Sequence, residues 1–125
     1  MPDTRTERAG RKILAISPDG PLISSERDAV DLIGSTFGEH PDLVLLPVSR
    51  LDPRFFTLST KIAGEIVQKF VNYQLPLAII GDITHHLESN PTLRDYVRET
   101  NRGRHIWFVP DLPTLDAQLA RHHTG

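Results

Sequence analysis

Three runs in this chain, "DLVLLPV", "LPLAIIG" and "HIWFV", are apolar without alternation, and a helical pattern separates each from the next. A strand with one wet face alternates polar and apolar residues, so an unbroken run of strand length predicts a strand covered on both faces. Such strands joined through helices predict a parallel sheet with right-handed crossovers. The order reads βαβαβαβα after an opening, and the fold class expected is α/β: a mostly parallel four- to five-stranded sheet with helices. An opening β-hairpin is expected too, because "KILAIS" and "PLIS" flank "PDG", whose residues suit a tight turn.

The helices mark their own ends. Ser25 stands three residues ahead of Asp28, a variant of the capping box, and Val30, Ile33 and Phe37 share a face before Gly38. Asn90 caps a later helix with Pro91 in its first turn, Leu93, Tyr96 and Val97 inward and Gly103 at its exit. The last helix, near Thr114 to Arg121, keeps Leu115 and Leu119 at helical spacing. The helix within "FFTLSTKIAGEIVQKFVNY" is broader, with Ile62, Ala63, Ile66, Val67, Phe70, Val71 and Tyr73 filling about half its circumference. That exceeds the roughly 100° stripe of a surface helix, so it must cover the sheet and something more. The extra partner is the neighbouring helix of the same chain, helped by Gly64 allowing close approach, or the same helix of a second subunit in a homodimer. The intrachain neighbour is the favoured expectation, since helices on a covered sheet pack side by side.

A chain of 125 residues fits one globular domain that buries roughly two-thirds of its unfolded surface. Residues 1–11 are polar and aperiodic and read as a flexible amino-terminal arm, residues 12–121 as a single α/β domain and residues 122–125 as a frayed tail. Without cysteine there are no disulfides, thiolate ligands or thiol chemistry. No charged-then-apolar leader follows Met1, and no apolar run approaches the roughly 20 residues that span a bilayer. A cytoplasmic protein with no membrane partner is expected. The formal charge of −2 exerts no global pull on nucleic acid, which is not expected as a partner either.

Ser59 and Thr60 stand just where the broad helix should begin. One of them is expected to cap it, contributing about 1 kcal/mol. The same first turn would favour a phosphate on either hydroxyl, or an anionic ligand, through free N–H groups and the positive end of the helix dipole. Ser49, Asp82, Thr84 and Asp111 follow strands and are expected on the rim beyond the carboxyl ends of the sheet, shared with the Ser59 helix start. Gly81 before Asp82 either admits another backbone closely or makes the turn. Asp82 either caps its own loop or contacts a ligand; as a general base it lacks a second group at a telling spacing, so no catalytic residue is assigned.

Asn101 to His105 belong to the opposite rim, and on the helix leading there Arg94, Arg98 and Arg102 form a basic stripe, with Arg104 beyond, as a secondary basic patch. Asp95 and Glu99 precede Arg98 and Arg102 by three residues, which suits a solvated, ion-paired helix more than an anion contact. Adjacent His85 and His86 point apart, and His122 and His123 lie in the tail. Neither pair has the spacing of a metal site, and no metal or cofactor is expected.

The segments "LISSERDAVDLIG", "DPRFFTLSTKIAGEIVQKFVNYQLPLAIIGDI" and "LRDYVRETNRGRHIWFV" resemble, in order, the bacterial domain of unknown function 4180, from Lys12 to Leu119. That family carries no assigned activity. More distantly, the element order and "LSTKIAGEI" after a buried strand are similar to STAS domains (sulfate transporter and anti-sigma-factor antagonist). That similarity implies a protein partner and a switch by phosphorylation at this helix start, with Ser59 or Thr60 in the switch position. Lys61 and Leu58 stand where those antagonists commonly have glycine and aspartate. Two functions of different class follow: a non-enzymatic regulatory or protein-interaction module of STAS-like form, or a small-molecule or anion-binding domain, or undiscovered enzyme, using the rim around Asp82.

Overall fold

The computed structural model describes residues 3–88 and 90–121. Its elements are β1 (Thr4–Arg8), β2 (Arg11–Ala15), α1 (Glu26–Thr36), β3 (Leu43–Pro47), α2 (Ile62–Asn72), β4 (Leu77–Ile80), the short α3 (Thr84–Leu87), α4 (Pro91–Arg102), β5 (Ile106–Val109) and α5 (Leu112–Arg121). The strands form one sheet in the order β1-β2-β3-β4-β5. β1 and β2 pair antiparallel, and every later pair is parallel. The apolar runs are therefore parallel strands, and the fold is α/β.

The opening hairpin exists, but its strands are not those expected. Residues 4–8, read as part of a loose arm, supply β1, and Ala9 and Gly10 make a two-residue turn with φ of 51° and 76°. Two successive positive φ values match the right-handed twist of the flanking strands. β1 was illegible because its residues from Thr4 to Glu7 are exposed and polar, leaving no apolar period to read. "PLIS" contributes a single parallel bridge, Ile23 to Leu51, instead of a strand beside β2. Arg50 ties the intervening loop down: its Nη1 donates to Ser17 O at 2.8 Å and its Nε to Pro21 O at 2.9 Å.

Strand residues alternate between two apolar layers. Leu14, Val44, Leu77, Ile79 and Phe108 face a core closed by Ala29 and Ile33 of α1, Ala63, Ile66 and Phe70 of α2, and Leu93 of α4. Ile13, Leu43, Leu45, Ala78, Trp107 and Val109 face the other way, against Leu115 and Leu119 of α5. Crossovers of one hand between successive neighbours put α1, α2 and α4 on one face. α5, which follows the last strand, covers the other.

The broad apolar arc of α2 has the intrachain partner: α1 packs along it on the same face. Gly64 plays no part in that contact, since it is exposed and a Cβ built there meets nothing within 4 Å. Two aromatic residues expected to face inward do not. Phe37 and Tyr73 lie just past the carboxyl ends of α1 and α2, are about half exposed, and pair with each other at a centroid distance of 6.0 Å. Ile33 of α1 is buried as expected, with Ala29 and Thr36 completing its inward face in place of Val30 and Phe37.

The caps follow the residues. Ser25 Oγ accepts from the Asp28 N–H at 3.2 Å, and Asp28 reaches back to Ser24. Asn90 Oδ1 accepts from the Leu93 N–H at 3.1 Å. At the far edge of the sheet, Asn101 Oδ1 accepts from the Phe108 N–H at 2.6 Å while Asn101 Nδ2 donates to Phe108 O at 3.1 Å. The 122–125 tail, with His122 and His123, lies outside the described residues. No described helix is long and apolar enough to cross a membrane.

Candidate functional site

Because β2 through β5 are parallel, the segments after β3, β4 and β5 and the approach to α2 share one rim. Ser49 is exposed there, in a short 3₁₀ turn at Val48–Arg50. A second turn, Pro53–Phe56, buries Phe55 and Phe56, and a third, Leu58–Thr60, carries the two hydroxyls. α2 begins only at Ile62, after Lys61 takes a left-handed conformation with φ 66° and ψ 1°. That residue separates the hydroxyl turn from α2, and Ser59 is exposed.

The cap position is occupied by Lys61, whose side chain does not cap. Thr60 is nearest to the role expected of it: its Oγ1 accepts from the Ile62 N–H at 3.4 Å, at the long limit for such a bond. The same hydroxyl points back to the Thr57 and Arg54 carbonyl oxygens, at 2.7 Å and 2.9 Å, and fastens the third turn to the second. Ser59 makes no side-chain hydrogen bond among the described residues, which leaves its hydroxyl open to solvent and to modification.

Asp82 and Thr84 sit together after β4. Asp82 Oδ1 accepts from Thr84 Oγ1 at 2.5 Å and from the Thr84 N–H at 2.9 Å. The Thr84 hydroxyl, then its N–H, hold the exposed carboxyl below the usual aspartate range, with a smaller push from His85. A carboxylate so engaged is a weak proton acceptor, and its first role is to start α3. Asp111 repeats the device at α5, accepting from Thr114 Oγ1 at 2.6 Å and from the Thr114 N–H at 2.9 Å. Its carboxyl is lowered for the same reason, by the Thr114 hydroxyl first.

Gly81 does admit a close neighbour. Its φ is 146°, and a Cβ there would lie 2.8 Å from Val48 Cγ2. The turn after β4 is thereby pressed against the turn after β3. Beside it opens a cavity of about 210 Å³ lined by Gly81, Asp82, Thr84, Leu87, Val97 and Pro110, among others. Asp82 and Thr84 are thus brought to one cavity, whereas Ser49, Ser59 and Thr60 do not line it. The strand order never reverses, so no crevice opens between crossovers that turn opposite ways, and the rim holds a shallow cavity in place of a deep cleft.

A larger groove of about 550 Å³ runs along the outer flank of α2, lined by Leu58, Lys61, Gly64, Gln68 and Tyr96 and reaching Glu26. It begins in the turn that carries Ser59. Burial raises the Tyr96 hydroxyl above the ordinary tyrosine range, and its ring packs edge-on against Phe108.

The basic stripe runs along α4, from Arg94 near its start to Arg102 at the opposite rim. Arg98 pairs with Asp95 at 2.8 Å and Arg102 with Glu99 at 3.8 Å, all four well exposed. Arg94 and Arg104 are exposed as well. Neither Arg102 nor Arg104 reaches the carbonyl groups at the helix end among the described residues. His86 stacks on Phe56 at a centroid distance of 4.3 Å, and the His85 and His86 rings, expected to point apart, meet at 4.0 Å because the short α3 turns them to one side. Among the described residues no cluster of histidine and carboxylate groups could hold a metal ion.

The sequence model of a domain of unknown function, DUF4180, matches residues 8–119. The chain belongs to the DUF4180 family. No curated protein and no solved structure matches it. The DUF4180 match takes in the Ser59 turn, the Asp82 cavity, the groove on α2 and the basic stripe, so each belongs to the family domain. Three structural residues of this DUF4180 chain escaped sequence reasoning: Arg50, Asn101 and His86. None stands in a spacing that signals its role, because each acts on backbone or a ring far from its own element.

Proposed function

We propose that this DUF4180 domain is a non-enzymatic regulatory module of STAS-like form that binds a protein partner, with Ser59 as its switch. The observation that carries the reading is the state of the two hydroxyls. Thr60 is committed to the carbonyl oxygens of Arg54 and Thr57, while Ser59, one residue earlier, is exposed and makes no side-chain hydrogen bond among the described residues, between Leu58 and Lys61, which line the α2 groove. A phosphate added to Ser59 would put about two negative charges beside Lys61 and the groove without displacing any existing bond. Adding one to Thr60 would break the contacts that tie the turns together. The arrangement of a parallel sheet with its helices and the serine turn before α2 supports the STAS-like form. The engaged, acidified Asp82 carboxyl argues against proton-transfer chemistry on this rim.

The test is a partner captured by the wild-type chain and identified, followed by Ser59→Glu and Ser59→Ala. Binding lost in Ser59→Glu, kept in Ser59→Ala, and phosphoserine found at residue 59 by mass spectrometry support the switch. A partner bound equally by wild type, Ser59→Glu and Thr60→Glu removes the rim from the function.

A second reading rests on the cavity beside Asp82. At about 210 Å³ it lies below the usual range for ligand sites, roughly 300–1,000 Å³. Its single acidic group favours a small neutral or cationic molecule over an anion. A ligand that raises the melting temperature of the wild type but not of Asp82→Asn would favour this reading.

A further inference from the structure

The two edges of the sheet are treated differently. On β5, His105 O and Val109 O accept from Leu77 and Gly81 of the β4 side, so the alternate residue, Phe108, turns its N–H and C=O outward. Both outward groups are taken by the Asn101 side chain, and Pro110, next in line, has no N–H to offer. That edge is shut. β1 is the other edge. Its two-residue turn makes Arg8 and Arg11 a hydrogen-bonded pair, and so in turn Thr6 with Ile13 and Thr4 with Ala15. Arg5 and Glu7 therefore direct their N–H and C=O groups away from the sheet, and among the described residues those groups have no partner.

An open edge is a template for another strand. The sequence of this one, "TRTER", reads in complementary sense when turned end to end. We propose that β1 pairs with β1 of a second copy, antiparallel about a twofold axis through Thr6. In that register Arg5 lies opposite Glu7 of the other copy and Glu7 opposite its Arg5. Both are hydrogen-bonded pairs, while the two Thr6 residues meet as the non-hydrogen-bonded pair on the axis. The backbone groups and the charges thus call for the same register independently. Arg5 is already held by Glu39 on the helix-covered side of the sheet, which orders its guanidinium, whereas Glu7 has no ion-pair partner among the described residues. Charged edges usually repel strands of the wrong kind; here a two-residue slip, which moves the twofold to Arg5 or to Glu7, or an in-register parallel copy would set like charge beside like. The product is a continuous ten-stranded sheet with a β5 edge, closed at Phe108, at each end.

The interface is independent of the Ser59 switch, so its failure would leave that function standing. Sedimentation equilibrium of the full chain tests it. The wild type is expected to dimerise in the micromolar range, and Glu7→Arg to weaken the dimer by about tenfold or more. In a Glu39→Gln background, which keeps residue 5 from facing that carboxylate, Arg5→Glu combined with Glu7→Arg restores it, because the swapped charges face each other again. Glu7→Pro deletes an outward N–H while sparing the β1–β2 ladder, and should give a folded monomer by circular dichroism. A wild type that stays monomeric, a dimer indifferent to Glu7→Arg, or a charge swap that does not recover in that background overturns the proposal.

Discussion

Asn101 stands beside Phe108 as a sixth strand would, its side-chain amide exchanging both hydrogen bonds with the backbone of one edge residue. The Asn101 carbonyl oxygen is in turn held by Gln118 Nε2 of α5 at 2.5 Å. One residue near the end of α4 thus joins the helix layer on one face, the edge of the sheet and the helix on the other face.

Asn101→Ala should leave the Phe108 N–H and C=O unpaired in partly buried surroundings and cost about 1–3 kcal/mol of stability. It should also free the β5 edge for strand addition. Urea denaturation measures the first effect and light scattering at rising concentration the second. A variant with wild-type stability and no added association would mean that water serves the edge as well as the amide does.

Gly81→Ala introduces a Cβ 2.8 Å from Val48 Cγ2 at a φ of 146°, and should destabilise the protein by roughly 2 kcal/mol or more. Adding Val48→Ala removes the contact but not the backbone strain. Thermal unfolding of the pair should therefore show partial recovery; full recovery would assign the whole effect to packing.

These residues show what could and could not be read in advance. Strands and helices whose residues face a core announced themselves through unbroken apolar runs and caps, and Ser25, Asn90, Leu115 and Leu119 stand as their spacing implied. β1 was hidden because an exposed edge strand has nothing to bury. The site was read less well than the fold. Asp82 closes its own turn through Thr84, one of the two roles left open for it, but the start of α2 was set at Ser59 or Thr60, ahead of Lys61, where a left-handed residue interrupts the helix. No helical wheel can register such a break. Asn101 escaped because its partner is a backbone peptide, which leaves no signature in side-chain spacing.

The two hydroxyls should separate by stability before any partner is known. Thr60→Val loses the bonds to Arg54 O and Thr57 O and should cost about 0.5–1.5 kcal/mol, whereas Ser59→Ala should stay within about 0.5 kcal/mol of wild type. Chemical denaturation of both variants checks this. Equal losses would mean that Ser59 has a structural bond of its own.

His86 should make the fold sensitive to mild acid. Burial against Phe56, and then the neighbouring His85, lower its pKa below the ordinary 6.5. The unfolded chain therefore takes up this proton first as pH falls. The contribution of the neutral ring is fully present above the unfolded value and is lost as pH drops through 6.5 toward the folded one. Melting temperature should fall between pH 7 and 5, above the region where Asp82 and Asp111 titrate. His86→Phe, which keeps a ring on Phe56, should flatten that slope; an unchanged slope would assign it to other groups.

Each strand lies beside the one made just before it, from β1 through β5. A chain emerging from its amino end can thus lay down every new hairpin or βα unit against a finished neighbour, with no later segment forced between two earlier ones. The exception is the side lined by Ile13 and Trp107, which waits for Leu115 and Leu119. During synthesis one flank of the growing layer can dry as it forms, while the other stays wet until the final helix arrives.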